Sequence, residues 1–392
     1  MLCFKYVISI LSALYIIKYS TTFDYNNYNI EGLAQYDLLL TNPVLFFTDF
    51  TIDINTYGWG GLLASGNSFW AYLRFNLLFK MIAFFNLVSR GNFYFNTLLF
   101  STLTFFGHIA FYRIFSHLYP GNKYRLLAVI FGLPSLLLYT ACVHKDGLIF
   151  VSVAFISFLV FQVLQHPRWV RPAHCGVFLG SCLCIFLFRN YVLVALAPAI
   201  LLTLAYQLLQ RNKKRLLLLM YLGFIGLFFL TGLTQSSFNL PAAVVQRKAD
   251  FATLETGNTT IQMNDLQPNI ISFVGNLPQA INHTLLRPYP WEYSQPAILL
   301  VALELLLYQV IVILFVFFRK KPAGTMHPFT IYGLALFAHM MLIIGYTIPN
   351  IGAIVRYRSI FWVLLLCPLV GNIDWGRLHA LFLSRPAKAT RG

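Results

Sequence analysis

Three consecutive polar residues, His144, Lys145 and Asp146, interrupt a long apolar stretch of the sequence. An imidazole and a carboxylate can exchange protons, and an ammonium group can bind an anion. These side chains therefore have the chemistry needed to bind and process a charged ligand. The alternative is a polar turn at a membrane surface, where such residues satisfy backbone groups and meet lipid headgroups.

Four arginines occur in comparable short polar interruptions elsewhere in the chain. They are Arg189, Arg287, Arg356 and Arg358. Arginine suits phosphate because its planar guanidinium group can donate two hydrogen bonds, whereas lysine acts as a point charge. The recurrence at separate turns predicts that these arginines, together with His144 and Lys145, bind a phosphate-bearing ligand.

The elements that position these residues are predicted to be membrane helices. The chain has 392 residues, of which 58% are hydrophobic and 10% are charged, whereas soluble domains are about 25% charged. Such a composition leaves too few polar groups to cover a water-exposed surface. The apolar residues instead form runs close to the roughly 20 residues that cross a bilayer.

The apolar runs define the predicted fold class. They cover residues 3–18, 93–115, 126–143, 147–165, 175–188, 191–209, 216–233, 297–318, 328–348 and 359–370. We predict an all-α fold, a polytopic transmembrane helical bundle of about ten spans. It forms a single integral membrane domain over residues 1–392. The first run lacks a small-residue cleavage site and is predicted to be a retained span.

Basic residues are concentrated in alternate loops. These loops are residues 113–125, 166–174, 211–215, 319–321 and the C-terminal tail. Because cytoplasmic loops carry the excess of Lys and Arg, we predict that these loops and both termini are cytoplasmic, in an inner cell membrane. Topology then explains the net charge of +16. The dispersion of the basic residues argues against nucleic-acid binding.

Two long segments lie on the predicted outer, periplasmic face. Residues 19–92 follow the first span and contain an amphipathic, aromatic stretch with Arg74, Lys80 and Arg90. This pattern predicts helices that lie in the membrane interface rather than cross it. Residues 234–296 form a second outer loop, before the eighth span.

The arginines at the outer turns run against the positive-inside bias. An anion at the level of the outer headgroups explains them together, and the bilayer favours a ligand with an apolar tail. A polyprenyl phosphate carrying a sugar has both properties. Transfer of that sugar to a hydroxyl requires a carboxylate to accept a proton and positive charge to stabilise the leaving phosphate.

A long outer loop after the first span, followed by spans with short outer turns, resembles the C-type (GT-C) membrane glycosyltransferases. The stretches GNFYFNTLLF, LPSLLLYTACVHKDGLIF, RPYPWE and IVRYRSIF are similar to bacterial envelope proteins loosely grouped with that class. The architectural resemblance covers most of the chain. It implies a polyprenyl-phosphate-linked sugar donor, a glycan or lipid-linked acceptor, and a catalytic aspartate in the first outer loop.

Asp24 best matches the position of that catalytic aspartate, and Asp37 is the second candidate. The paired acids usual in the family are replaced here by Asp24 alone, followed by Glu31 and Asp37. The alternative for both aspartates is a loop acid that caps a helix. Asp146 either forms an ion pair with Lys145 or acts as an acid.

Glu304 lies inside the eighth predicted span, where an ionisable residue indicates function. It is expected either to line a cavity beneath the site or to pair with His108 or His339. A transporter or flippase for lipid-linked saccharides would depend on such a residue. A second alternative is an O-antigen or exopolysaccharide polymerase, which joins lipid-linked oligosaccharide units and would depend on the outer arginines.

The sequence requires no cofactor. Its six cysteines lie in or beside the predicted spans, without a CxxC pair or a Cys/His spacing typical of zinc. We therefore predict neither a disulfide nor a zinc site. A divalent metal is compatible with the sequence, but no motif supports one.

Overall fold

The computed structural model describes residues 1–19, 23–49, 69–166, 171–208, 213–234, 239–253, 259–293, 295–320 and 326–383. In these ranges the chain is helical and contains no β-strand, only two isolated bridges, Thr260 with Asn350 and Arg319 with Ile373. The α-helices are α1 (Leu2–Tyr19), α2 (Phe23–Thr41), α3 (Pro43–Thr48), α4 (Phe69–Ser89), α5 (Phe93–Leu118), α6 (Lys123–Gly132), α7 (Pro134–Ala141), α8 (Lys145–Gln165), α9 (Pro172–Leu208), α10 (Lys213–Leu230), α11 (Leu240–Ala252), α12 (Ile270–Ile281), α13 (Pro296–Phe318), α14 (Pro328–Thr347), α15 (Ile351–Ser359), α16 (Trp362–Asn372) and α17 (Trp375–Leu383).

Six helices in the described ranges are long and apolar enough to cross a membrane, and the number rises to eight if two bent pairs each count as one span. The prediction of an all-helical integral membrane protein is thus confirmed, whereas the count of about ten spans is higher than these helices alone support. The bent pairs are α6 with α7, at 53°, and α15 with α16, at 59°. The run 126–143, predicted as one span, breaks at Leu133 because Pro134 disfavours a helical conformation in the preceding residue.

Helices α8 and α14 form the centre of the bundle, since most of the apolar window of each is buried. They run antiparallel. The Ser157 Oγ lies 3.0 Å from the Tyr332 hydroxyl, and Gln165 at the end of α8 contacts His327 just before α14 begins. The start of α8 and the end of α14 therefore lie at the same end of the molecule. At the periphery, none of the apolar window of residues Arg215–Leu233 is buried.

Helix α9 reverses its direction at Arg189, whose backbone is not helical (φ −153°, ψ 72°). Before Arg189 the helix packs antiparallel to α8, with the Cys184 Sγ 4.0 Å from the Leu148 carbonyl oxygen. After Arg189 it packs antiparallel to α14, where the His339 Nδ1 lies 3.0 Å from the Ala195 carbonyl oxygen. The sequence predicted two spans here, 175–188 and 191–209, and the packing follows that division, since the non-helical backbone of Arg189 separates two helical segments that run in opposite directions.

Helices α2 and α4 pack closely on each other within the first long loop. A Cβ atom on Gly32 would lie 2.4 Å from the Ile82 Cγ2, so glycine is needed at this contact. The Asn86 side chain also donates a hydrogen bond of 3.2 Å to the Gly32 carbonyl. Neither α2 nor α4 is among the candidate membrane spans. Helices therefore form where interfacial helices were predicted, while their depth in a bilayer stays a prediction.

Candidate anion-binding site

Asp146 lies at the centre of a buried charged cluster. Its carboxylate forms an ion pair with the Arg189 guanidinium group, and its Oδ2 lies 3.4 Å from the Arg356 Nε. Asp146 and Arg189 are almost inaccessible, whereas 22% of the Arg356 side chain is exposed. We call His144, Lys145, Asp146, Arg189 and Arg356 the Asp146 cluster. All five were predicted from the sequence as site residues, and the structure brings them together.

The local sequence positions this carboxylate at the beginning of α8. His144 is the N-cap residue, and its Nδ1 lies 3.2 Å from the Asp146 backbone nitrogen and 3.0 Å from the Asp146 Oδ2. The tautomer of His144 decides which of these contacts is a hydrogen bond. An acidic residue in the first turn is favourable beside the positive end of the helix dipole. The next residue is Gly147, and a side chain has no room there, because a Cβ atom would lie 2.6 Å from the Phe100 ring.

Two arginines reach Asp146 from other elements. Arg189 is placed at the reversal of α9, and its guanidinium carbon lies 3.5 Å from the centre of the Tyr357 ring. It also donates to the Tyr191 hydroxyl. Arg356 belongs to α15 and donates a hydrogen bond of 3.2 Å to the Tyr357 hydroxyl. The cluster thus joins the ends of three elements that are far apart in sequence.

The outer helices add further cations and aromatic rings. The Arg74 guanidinium carbon and the Lys145 Nζ lie 4.8 and 5.5 Å from the centre of the Phe75 ring. Arg247 of α11 lies 4.8 Å from the Tyr191 ring centre. The pKa of Arg74 is lowered by burial first and then by the positive charge of Arg247 and Arg189. Burial and nearby positive charge both disfavour the charged form of an arginine.

The described residues of this region carry a clear positive excess. Two arginines, Arg189 and Arg356, contact the carboxylate of Asp146, and three further cations, Lys145, Arg74 and Arg247, lie over neighbouring aromatic rings, so five cationic side chains accompany one described carboxylate. Burial makes such an excess costly unless an anion compensates it. Sequence reasoning missed Arg247 entirely and placed Arg74 only in an interfacial helix. Their role depends on how the outer helices fold back, which no local pattern specifies.

The remaining predicted phosphate ligands lie outside the cluster. Arg358 is buried and donates hydrogen bonds of 2.6 and 2.7 Å to the carbonyl oxygens of Thr284 and Arg287. The Arg287 side chain forms an ion pair with Glu292. The structure therefore gives these two arginines contacts that fix the segment before α13 and does not bring them to Asp146.

The two candidate bases lie in α2. Asp37 is exposed, and its backbone carbonyl accepts a hydrogen bond of 2.8 Å from the Thr41 hydroxyl. Asp24 belongs to the first turn of α2, but its side chain lies outside the described residues. One turn later, the Tyr28 ring lies 5.9 Å from the His144 ring. The beginning of α2 is thus close to the Asp146 cluster.

Glu304 does not pair with a histidine, which corrects one expectation from the sequence. Its carboxylate accepts hydrogen bonds from the backbone and hydroxyl of Ser135, at 3.2 and 3.0 Å, and from the Tyr308 hydroxyl. His108 instead contacts the Thr104 carbonyl, and His339 contacts that of Ala195. The reason is the break before α7, because the first turn of a helix has free N–H groups that a carboxylate can satisfy.

A narrow apolar groove of about 80 Å³ adjoins the cluster. Its lining includes Val194, Phe228, Val244 and Ile343, and Arg247 stands among them. Arg247 stacks on Tyr191, whose hydroxyl in turn accepts a hydrogen bond from Arg189. The groove therefore connects apolar surface between α9, α11 and α14 with the positive charge around Asp146.

Across the part of the chain that the structure describes, no group of three His, Cys, Asp or Glu residues is arranged to hold a metal ion. The absence of a metal requirement remains a prediction. In comparisons with known proteins, no family model, curated protein or solved structure matches this chain.

Proposed function

We propose that this protein is a membrane glycosyltransferase of the C type. It would transfer a sugar from a polyprenyl-phosphate donor to a glycan or lipid-linked acceptor at the periplasmic face of the inner membrane. The observation that carries the proposal is the convergence of Arg189 and Arg356 on the buried Asp146 at one end of a membrane-embedded helical bundle, with Lys145 next to it in the chain. A positive excess at that position fits the phosphate of a lipid-linked donor.

The arginines supply the charge that the reaction needs. Cleavage of the sugar–phosphate bond leaves negative charge on the phosphate, and preorganised cations stabilise that charge. Asp146 fixes the orientation of Arg189 and Arg356 through its ion pairs. Because two guanidinium groups stabilise its ionised form, Asp146 suits this positioning role better than proton uptake. Arg356 is the more exposed of the two arginines and is accessible to the donor.

The apolar groove fits only the first part of a donor's apolar chain, since its volume of about 80 Å³ is below the roughly 300–1,000 Å³ of a site that encloses a whole ligand. It lies next to Arg247 and Tyr191, so an apolar chain in the groove would place its phosphate near the excess positive charge. The base that takes the acceptor proton is proposed to be Asp24, because the start of α2 lies beside His144. Asp37 is the less favoured candidate, since its side chain is exposed.

The proposed topology has about ten crossings, with both termini in the cytoplasm. The reversal of α9 at Arg189 supports two crossings in that helix. Helix α1 is proposed as another crossing, and it packs against the bundle, where the Lys5 Nζ lies 3.0 Å from the Thr140 Oγ1 near the end of α7. This arrangement puts the Asp146 cluster and both long loops on the same face.

A polysaccharide polymerase is the second candidate function. It is favoured by the fact that the groups shown around Asp146 are arginines, whereas no carboxylate of a long outer loop is described there. A transporter or flippase is less well supported. Its expected key residue, Glu304, accepts hydrogen bonds from two residues that hold it in place.

Mass spectrometry of lipid-linked saccharides tests the proposal. Host cells lacking the protein would be complemented with wild type, Asp24→Asn, Arg356→Gln or the control Arg113→Gln, an exposed arginine near the other end of α5. A transferase predicts accumulation of one sugar on a polyprenyl phosphate. Wild type and the control should relieve it, and the other two variants should not. Loss of phosphate stabilisation should lower the rate about 100-fold.

The other outcomes separate the alternatives. Accumulation of complete oligosaccharides on a diphosphate lipid, relieved by Asp24→Asn but not by Arg356→Gln, would assign the polymerase function. An unchanged pool of lipid-linked saccharides would contradict both transfer reactions. Immunoblots of the membrane fraction would show that each variant is present at the level of wild type.

A further inference from the structure

A second cationic pocket lies at the end of the molecule opposite to the Asp146 cluster. Its volume is about 550 Å³, within the range of roughly 300–1,000 Å³ usual for small-ligand sites. Arg125, Lys320, Trp375 and His379 contribute to its lining. These residues come from α6, the end of α13 and α17, so the pocket requires the folded bundle. We call it the Arg125 pocket.

Hydrogen bonds hold the cations of this pocket in place. The Arg125 guanidinium group donates to the Asn122 Oδ1 at 3.0 Å and stacks 4.7 Å from the centre of a Trp375 ring. Asn122 is buried and donates to the Gly371 carbonyl at 3.0 Å, and the Lys320 Nζ lies 3.3 Å from the same oxygen. Both cations are thus anchored on one backbone position of α16.

The charge balance of the Arg125 pocket is positive. Asp374 is the acidic lining residue, and its carboxylate accepts a hydrogen bond of 3.0 Å from the Arg377 backbone. Among the lining residues, Arg125 and Lys320 therefore exceed Asp374 by one positive charge. Phosphate and similar anions are the ligands that such a set of donors would bind.

The surroundings of the pocket are those of a membrane interface. Tyr124 is 89% exposed and Leu381 of α17 is 61% exposed. Exposed aromatic and aliphatic side chains beside basic residues are typical of the headgroup level of a bilayer. A soluble anion would gain nothing from them, whereas a lipid would bury its acyl chains beside them.

We propose that the Arg125 pocket binds the phosphate headgroup of an anionic membrane lipid, such as phosphatidylglycerol or cardiolipin. Basic pockets between helices at the cytoplasmic side bind such headgroups in other membrane proteins. The site is separate from the Asp146 cluster, and its assignment is independent of the proposed function. A lipid bound in the Arg125 pocket would attach the loop before α6 and the helix α17 to the lipid leaflet at the end of the molecule opposite to the Asp146 cluster.

Native mass spectrometry of the full-length protein in detergent tests this site. Phosphatidylglycerol, cardiolipin or phosphatidylcholine would be added to wild type, to Arg125→Gln/Lys320→Gln, and to the control Arg113→Gln/Arg215→Gln. The control removes two exposed arginines that do not line the pocket. Wild type and the control should retain an anionic lipid. The pocket variant should retain at least roughly tenfold less of it, since each Lys or Arg near a membrane surface adds to the binding free energy of an anionic lipid.

Two results would overturn the proposal. Equal retention by the pocket variant and the control would show that the bound lipid lies elsewhere. The pocket would be assigned to soluble phosphates by two observations together. Excess inorganic diphosphate would displace the lipid, and phosphatidylcholine would be retained as well as the anionic lipids. If the double variant does not purify, Lys320→Gln alone changes an exposed side chain and allows the same comparison against Arg113→Gln.

Discussion

At the scale of single residues, Asp146 determines the charge arrangement of the candidate site. Arginines from α9 and α15 converge on it, although they are separated from it by 43 and 210 positions in the chain. A buried carboxylate in this position compensates part of a large positive charge. Its removal leaves the guanidinium groups facing each other without compensation.

Substitution of Asp146 by Asn is expected to destabilise the protein by about 3–5 kcal/mol, since breaking a buried ion pair leaves an uncompensated charge. The thermal unfolding midpoint in detergent would measure this loss. Asp37→Asn is the matched control because Asp37 is exposed, and its effect should stay within about 0.5 kcal/mol. Equal midpoints for the two variants would contradict the central role of Asp146.

The site residues differ in how far the sequence could predict them. For five residues, their position at the end of an apolar run was sufficient to predict that they belong to one site, because the ends of neighbouring membrane helices meet at one level. These residues are His144, Lys145, Asp146, Arg189 and Arg356. The same rule also selected Arg287 and Arg358. It could not tell that Arg358 donates to backbone carbonyls or that Arg287 pairs with Glu292 instead of reaching Asp146, since neither contact leaves a pattern in the sequence.

At the scale of elements, the contact between α5 and α8 positions the carboxylate. The beginning of α8 approaches α5 at Gly147, which faces the buried ring of Phe100. Any side chain at this position has to push the two helices apart. The residue next to it in the chain is Asp146, so helix packing and site geometry are coupled here.

Gly147→Ala is expected to cost about 1–3 kcal/mol through overpacking and to lower sugar transfer by shifting Asp146. Gly180→Ala in α9 is the matched control, because a Cβ atom there would meet nothing within 4 Å. Alanine is the better helix former by about 1 kcal/mol, so the control should be neutral or stabilising. Unfolding midpoints and transfer rates of both variants would be compared, and equal behaviour would contradict the coupling.

At the scale of the whole molecule, hydropathy was sufficient to predict a helical membrane bundle but not to count its crossings. The apolar run at 126–143 corresponds to a bent helix pair rather than a straight span, and the run at 359–370 covers little more than the second helix of another bent pair. The two runs around Arg189, by contrast, match two helical segments that reverse direction at that residue. Hydropathy registers how apolar a segment is and does not register where a proline or an ion pair bends it.

Cysteine labelling tests the orientation of the bundle. In a variant whose six native cysteines are replaced, Trp291→Cys and Tyr124→Cys would each introduce a thiol at a highly exposed position. If the proposed topology holds, with the basic loops in the cytoplasm, a membrane-impermeant maleimide is expected to label position 291 in intact spheroplasts and position 124 only after permeabilisation. The reverse result would place the Asp146 cluster in the cytoplasm.

The reversal of α9 at Arg189 also bears on how the chain is inserted during synthesis. Carrying a lone arginine into the centre of a bilayer costs about 2.5–3.5 kcal/mol on insertion scales, and α9 has no long polar hairpin to lower that cost. The partner that neutralises Arg189 is synthesised first, since Asp146 precedes it in the chain. We expect α8 to remain near the translocation channel until α9 emerges, so that acid and base leave the channel as a pair and the hairpin is inserted in one step.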